Sequence, residues 1–293
     1  MDNWDEIRTA YQVARVGTVS GAAEVLGVHH ATVIRHIDAL EERLGVKLFQ
    51  RHARGYTATE AGADLCRVAQ TTDDQFAQLA GRIKGQGDAV KGELVITSLS
   101  GLAPLLAPVL AEFNACYPDV ILRYLTGPRL FRMEYGEAHV AIRAGAAPEQ
   151  PDNVVQPFLR QRTALYAAPA YADAHGIPET EADFAAHRFV ATDDVTSRAP
   201  FYNWLWETVP HGNVVFRASD DRALELAVVG GVGIGFMPRW TAVLYPELIE
   251  VAPPRLDWES PLWLVTHVDL HRTTKVQAFL RHLKDNADML ERS

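Results

Sequence analysis

Between Ser20 and Gly45 the chain reads SGAAEVLGVHHATVIRHIDALEERLG, two short helical patterns split by Gly27. In the first, Ser20 is placed as an N-cap and Ala22, Ala23, Val25 and Leu26 follow. In the second, which starts near His29, Val33, Ile37, Leu40 and Leu44 fall on one stripe. An earlier stretch over 4–15 repeats apolar positions at helical spacing (Trp4, Ile7, Tyr11, Ala14) and is ended by Gly17. Two short helices joined by a tight glycine-containing turn form a helix-turn-helix, and the small Ala22–Ala23 pair lets the second helix cross closely over the first.

The face opposite the buried stripe, with the first turn of the second helix, carries His29, His30, Thr32, Arg35 and His36. These hydrogen-bonding side chains stand where a recognition helix meets base edges. Arg35 has the fork for a guanine, and Thr32 suits a thymine methyl or a phosphate. Beyond this helix, Lys47, Arg51, His52 and Arg54 crowd a segment ending in Gly55-Tyr56. That reads as a basic wing, with Arg51 and Arg54 on phosphates. Placement carries this reading, since residues 1–60 hold seven Arg/Lys against eight Asp/Glu. The whole chain is acidic, with a net charge of −9, which excludes a uniformly basic coat. The competing reading is a helical hairpin with a solvated polar face, serving protein contacts. His29, His30 and His36 form no i, i+4 pair and have no carboxylate or cysteine at ligand spacing, so no metal is expected.

The run from Ala22 to Gly62 resembles the winged-helix segment of LysR-type transcriptional regulators. The resemblance rests on Ala22, Ala23, Leu26, Val33, Arg35, Ile37, Leu40, Glu41, Leu44, Gly45, Leu48, Phe49, Arg51, Thr59 and Gly62 at fixed spacing. The family pattern has Ser-Gln near positions 29–30, Ser at 34 and Gln at 36, where this chain has His29, His30, Ile34 and His36. The operator therefore does not carry over. The segment His29-His30-x-Thr32-Val33-Ile34-Arg35 is similar to the VtlR-like branch.

Thr59 is placed to cap a long helix with Glu60 in its first turn. Leu65, Ala69, Thr72, Phe76, Leu79 and Ile83 recur at alternating intervals of three and four, as a coiled-coil seam requires. The reading is a dimerisation helix over 59–84, then a glycine-rich hinge over 85–92, GQGDAVKG. From residue 93 strand and helix patterns alternate, which predicts a parallel sheet with covering helices. Strands are expected at 93–101, 120–127, 139–145, 164–169, 188–192, 213–219, 232–238, 248–253 and 261–267.

The resemblance extends over nearly the whole chain, with ASDDRALELAVVGGVGIGFMPRW (218–240) its most specific stretch in this half. It implies an α/β protein overall: a winged helix-turn-helix over 1–58, the linker helix, and a two-lobed, periplasmic-binding-protein-like effector domain over 93–293. Lobe I takes 93–163 and 267–293, and lobe II takes 164–266. It also implies double-stranded DNA, a small-molecule effector, a dimer or tetramer of the same chain, and RNA polymerase as partners.

A cleft at strand ends is where such sheets bind small molecules. The candidate contacts are Thr97, Ser98 and Ser100 on one side, with Thr126, Arg129, Arg143, Thr192, Ser219, Asp220 and Phe236 opposing. Hydroxyls and free amides at a helix start suit an anion or carbonyl, and Arg143 suits a carboxylate.

Enzyme readings fail on context. GGVGIG (230–235) does not follow a strand and open a helix, and no Gly-x-Ser-x-Gly elbow is present. Cys66 and Cys116 cannot form a metal cage, and Cys116 is expected on a buried helix face. No cofactor is expected. The first residues, MDNWDEIRTA, lack the basic and apolar regions of a secretory signal, which points to the cytoplasm and away from the membrane.

Overall fold

The computed structural model describes residues 3–52, 55–83, 90–127, 131, 133 and 137–292. Two compact units emerge: residues 1–92 with 131–137, and residues 93–130 with 138–293. No helix among the described residues is long and apolar enough to cross a membrane.

The first unit contains α1 (Trp4–Val16), α2 (Val19–Leu26), α3 (His30–Leu44), the hairpin strands β1 (Phe49–His52) and β2 (Gly55–Ala58), and α4 (Glu60–Ile83). Gly17 and Gly27 end their helices as read from the sequence, Gly45 ends the third, and all three adopt left-handed backbone that other residues resist. The cap of α2 differs from expectation. Thr18, not Ser20, accepts the Gly21 amide, because the helix begins one residue before Ser20. Ala10, Val13, Ala22, Val33, Ile37, Leu40, Leu48 and Phe49 are buried together, so three helices and the hairpin share one core.

Two close approaches fix the wing. Tyr56 N donates to Gly17 O at 2.9 Å, which brings β2 onto the α1–α2 turn. Gly62, in the first turn of α4, lies against the Leu48 carbonyl, where an added Cβ would stand 2.0 Å from the oxygen. The expected seam of α4 is divided. Leu65 and Ala69 pack into the unit's own core, while Phe76 is half exposed and meets Trp4 edge-on at 5.4 Å. The side chains of Leu79 and Ile83 lie outside the described residues, as does most of the 85–92 hinge.

The second unit has two five-stranded sheets. The first is ordered β4 (Val120–Thr126), β3 (Gly92–Ser98), β5 (Val140–Ala144), β12 (Ser260–His267), β6 (Asn153–Gln161). The second is ordered β11 (Ile249–Ala252), β7 (Thr163–Ala167), β10 (Ile234–Pro238), β8 (Phe189–Thr192), β9 (Val214–Ala218). Helices α5 (Ala103–Cys116), α6 (Pro169–His175), α7 (Pro200–Thr208), α8 (Asp221–Val229), α9 (Arg239–Ala242), α10 (Val268–His271), α11 (Thr274–Asp285) and α12 (Ala287–Arg292) complete it.

The sheets are mixed, not parallel as the alternation suggested. β3 runs parallel to β5, and β8 to β9 and β10, but β12 is antiparallel to both β5 and β6, and β7 to β10 and β11. The chain crosses directly from β6 to β7 and returns into β12 with only a short turn before it, so no crossover helix restores strand direction. The return therefore falls just before Ser260, not near residue 267, and the last strand belongs to the first lobe. Strand β6 was not anticipated. It carries Pro157, which is tolerated because β6 is the edge of its sheet. Cys116 is exposed, contrary to expectation. Cys66 is the more enclosed thiol, and burial pushes it up to about 11.

Gly62→Ala should destabilise the first unit by about 1–3 kcal/mol, because the Leu48 backbone that meets the methyl cannot give way. A chemical melt of the full chain followed by circular dichroism measures the loss.

Candidate functional site

Gly27 turns the chain so that His29 caps α3, its Nδ1 accepting the Ala31 amide at 3.3 Å. The neutral ring then carries its proton on Nε2 and offers it outward as a donor. His30 and Arg35 are exposed, and Arg35 stands on the open stripe of α3 with Ala31, Asp38 and Glu42. Thr32 is half buried.

His36 is not on that stripe. It follows Val33 by three positions and precedes Leu40 by four, which puts it at the border of the buried face. Its Nδ1 meets Thr9 Oγ1 at 2.9 Å, and the Thr9 hydroxyl already donates to Asp5 O at 2.6 Å. The imidazole is therefore the donor, and His36 joins α3 to α1 instead of standing beside Arg35.

The wing is held by one carboxylate. Glu41 is almost fully buried at the inner face of α3. Its Oε1 accepts the Leu48 and Phe49 amides at 2.9 and 3.2 Å, and its Oε2 accepts Lys47 Nζ at 2.7 Å and the Arg51 guanidinium at 3.2 Å. Burial pushes the carboxyl up, but the hydrogen bonds from Lys47, Leu48 and Phe49 outweigh it and hold Glu41 below the usual carboxylate value.

Arg51 also bonds Asp38 and lies over the Tyr56 ring at 5.4 Å. The guanidinium expected on phosphate is thus committed to α3 and its own hairpin. The period explains this, since Asp38 and Glu41 are three apart and face the incoming strand together. Arg54 lies outside the described residues. Lys47, named with the basic wing, has a side chain that is 72% exposed while anchored to Glu41.

In the second unit the end of β3 behaves unevenly. Ser98 is buried and saturated: its hydroxyl donates to Leu99 O at 2.8 Å and meets Tyr124 Oη at 2.6 Å. Thr97 Oγ1 is buried with no hydrogen-bond partner among the described residues. Ser100 Oγ and Gly101 N both donate to Asp221 Oδ2 of the other lobe, at 2.8 and 3.0 Å, and Trp240 Nε1 donates to Gly101 O at 3.0 Å. The hydroxyl and amide expected to take an anion thus already hold one.

Arg143, near the end of β5, is partly buried, and desolvation lowers its pKa. It donates to Ile142 O at 3.2 Å and has no ion pair among the described residues.

The other candidates divide. Thr126 and Ser219 are exposed at the ends of β4 and β9. Thr192 accepts the Asp194 amide at 3.2 Å, and Asp220 is spent as the cap of α8, accepting Ala223 N at 3.0 Å. Phe236 packs against Phe201 and Trp258 at 5.1 and 4.9 Å, so it is a core ring with an exposed margin at most. Arg129 lies outside the described residues. Asp221 and Trp240 are contributors that the sequence reading did not single out. Burial and nearby Asp221 push the Tyr202 phenol well above its usual value. Only the tertiary fold brings Asp221 and Trp240 to Ser100 and Gly101.

Comparisons with known proteins agree across the chain. The family described as "Bacterial regulatory helix-turn-helix protein, lysR family" matches residues 4–63, and "LysR substrate binding domain" matches residues 87–288. The HTH-type transcriptional regulator CrgA of Neisseria meningitidis serogroup B is 28% identical over 241 residues, 79% of this chain and 78% of that protein. The HTH-type transcriptional regulator IlvY of Escherichia coli K12 is 28% identical over 249 residues, covering 83% of this chain and 84% of that one. Among solved structures, CrgA gives a TM-score of 0.60 at 24% identity, covering 98% of this chain and 99% of the other. Full-length CbnR in complex with its target DNA gives 0.59 at 18% identity, covering 97% and 100%.

Replacing Glu41 with Gln should lower stability at neutral pH by about 1–3 kcal/mol, because Lys47 and Arg51 lose their shared charge. With its folded pKa below the unfolded value, Glu41 stabilises the fold above its ordinary titration range, and that contribution disappears as pH falls through the folded value. Urea melts across this acid range should show a steeper loss in the parent chain than in Glu41→Gln.

Proposed function

Because this chain belongs to the LysR family of transcriptional regulators, we propose that its α3 reads a DNA major groove under the control of a small anion bound between the lobes of its second unit. The protein is a LysR-type transcriptional regulator, with a helix-turn-helix DNA-binding domain and an effector-binding domain. Homologues are regulators, not enzymes. Regulators of this family bind DNA and small-molecule effectors and assemble as oligomers. A dimer or tetramer suits operator reading, since two recognition helices one helical turn apart read paired half-sites. The half-exposed Phe76 of α4 is available to a second copy. RNA polymerase is a further partner in this reading, and the cytoplasm its site of action.

The exposed Arg35 on the open stripe of α3 is the observation that carries the DNA reading. Its guanidinium suits a guanine edge, and the exposed His29 and His30 at the helix start, with Thr32 at the margin, join it in this reading. Both Lys47 and Arg51 bond Glu41, and the phosphate contact near the wing falls to Lys47 because its side chain is 72% exposed against 39% for Arg51. The alternative, a helical head serving protein contacts alone, gives no role to this placement.

For the effector, the supporting feature is a pair of groups unmet among the described residues: the guanidinium of Arg143, without an acid, and Thr97 Oγ1, without a partner. Both favour an oxyanion, most simply a carboxylate. Such a ligand contests the Asp221 contact with Ser100 and Gly101, and so shifts the lobes between two arrangements.

Arg35→Ala should cost about 1–3 kcal/mol of discrimination between operator and random duplex and leave the salt slope unchanged. Lys47→Ala should weaken binding to every sequence and reduce that slope by about 1. Salt-series gel shifts on both variants separate the two effects. Equal losses on operator and random duplex for Arg35→Ala would contradict base reading. Arg143→Gln should leave operator binding intact but abolish its response to effector.

A further inference from the structure

Where the chain crosses between the lobes, three arginines converge. Arg160 near the end of β6, Arg162 in the first crossing and Arg239 at the start of α9 line a cavity of about 340 Å³. Leu159, Trp240 and Leu290 give it apolar wall, and among the described residues Glu291 is the one acid in its lining. The three arginine side chains are 66%, 54% and 54% exposed.

Their internal pairings are loose. Arg160 and Arg162 share the single carboxylate of Glu259 at 3.8 and 3.6 Å, and Arg239 faces Glu250 at 3.9 Å. A charge-assisted N–H···O bond runs about 2.7–2.9 Å, so these contacts neutralise charge without occupying the guanidinium forks. With Glu291 counted alongside Glu259 and Glu250 the charges come close to balance, so the draw on an anion lies in the unoccupied guanidinium forks.

We propose that this cavity binds a small oxyanion, a carboxylate or phosphate on a compact organic body, as a second input to the regulator. Arginine forks grip such groups through two parallel bonds, and the apolar wall accepts the remainder of the ligand. The volume lies at the small end of ordinary ligand pockets.

The position gives the ligand a lever. The Trp240 indole forms cavity wall and donates through Nε1 to Gly101 O. Gly101 in turn donates its amide to Asp221 of the other lobe. An anion seated against Trp240 bears on the turn through which the lobes touch, so its binding and that of the cleft ligand are coupled, each altering the other's affinity equally.

The test uses the full-length protein with citrate or inorganic phosphate, each against chloride at matched ionic strength, read by thermal melting and tryptophan fluorescence. At roughly ten times Kd the bound anion should raise Tm by about 3 °C. Arg162→Ala/Arg239→Ala should remove the rise, Arg162→Gln alone should at least halve it, and Arg143→Ala should preserve it. The proposal is overturned if neither anion raises Tm beyond chloride, or if the rise survives in both Arg162 variants. A rise lost only in Arg143→Ala overturns it too, and assigns the anion to the cleft.

Discussion

A single buried carboxylate organises the DNA-reading end of this protein. Glu41 projects from the inner face of α3 and gathers the Leu48 and Phe49 amides with the Lys47 and Arg51 side chains. Without it, the two amides that open β1 would be buried donors lacking an acceptor, each costing about 1–3 kcal/mol. With it, the hairpin and helix become one rigid piece. Rigidity matters because base readout fails when a side chain is misplaced by a fraction of its hydrogen-bond length. The hairpin then meets the rest of the unit where Gly55 lies against the Gly17 carbonyl and Leu48 against Gly62, and no side chain would fit at Gly55 or Gly62.

The sequence made the helix-turn-helix legible because glycine punctuation and apolar stripes are local signals. Gly17 and Gly27 end the helices they were read to end. What it hid was the use made of polar residues. Arg51 and His36 look alike from sequence as available donors, yet one is committed to Asp38 and Glu41 and the other to Thr9. Such pairings depend on contacts between elements, which periodicity does not encode.

The second unit shows the same division. Its strands were found from β-branched runs, except β6, whose Pro157 and weak alternation disguise an edge strand. Strand direction was misread because the chain passes between lobes without a helix. In the cleft, Ser98, Asp220 and Phe236 have the right residue types but are already engaged in structure. Arg143 and Thr97 keep unmet polar groups. Asp221 is the instructive omission. It is adjacent to the capping Asp220, and only folding carries it across to Ser100 and Gly101. An acid already seated on that turn makes the cleft a contest between an internal and an external anion, the kind of bistable contact through which a ligand shifts populations.

The most direct measurement is repeated selection of random duplex DNA by the purified full-length protein at moderate salt. If α3 lies in a groove and the protein acts as a symmetric oligomer, the selected pool converges on an inverted repeat with half-sites about one helical turn apart. A pool that stays random after several rounds, with and without a metabolite extract, would contradict it.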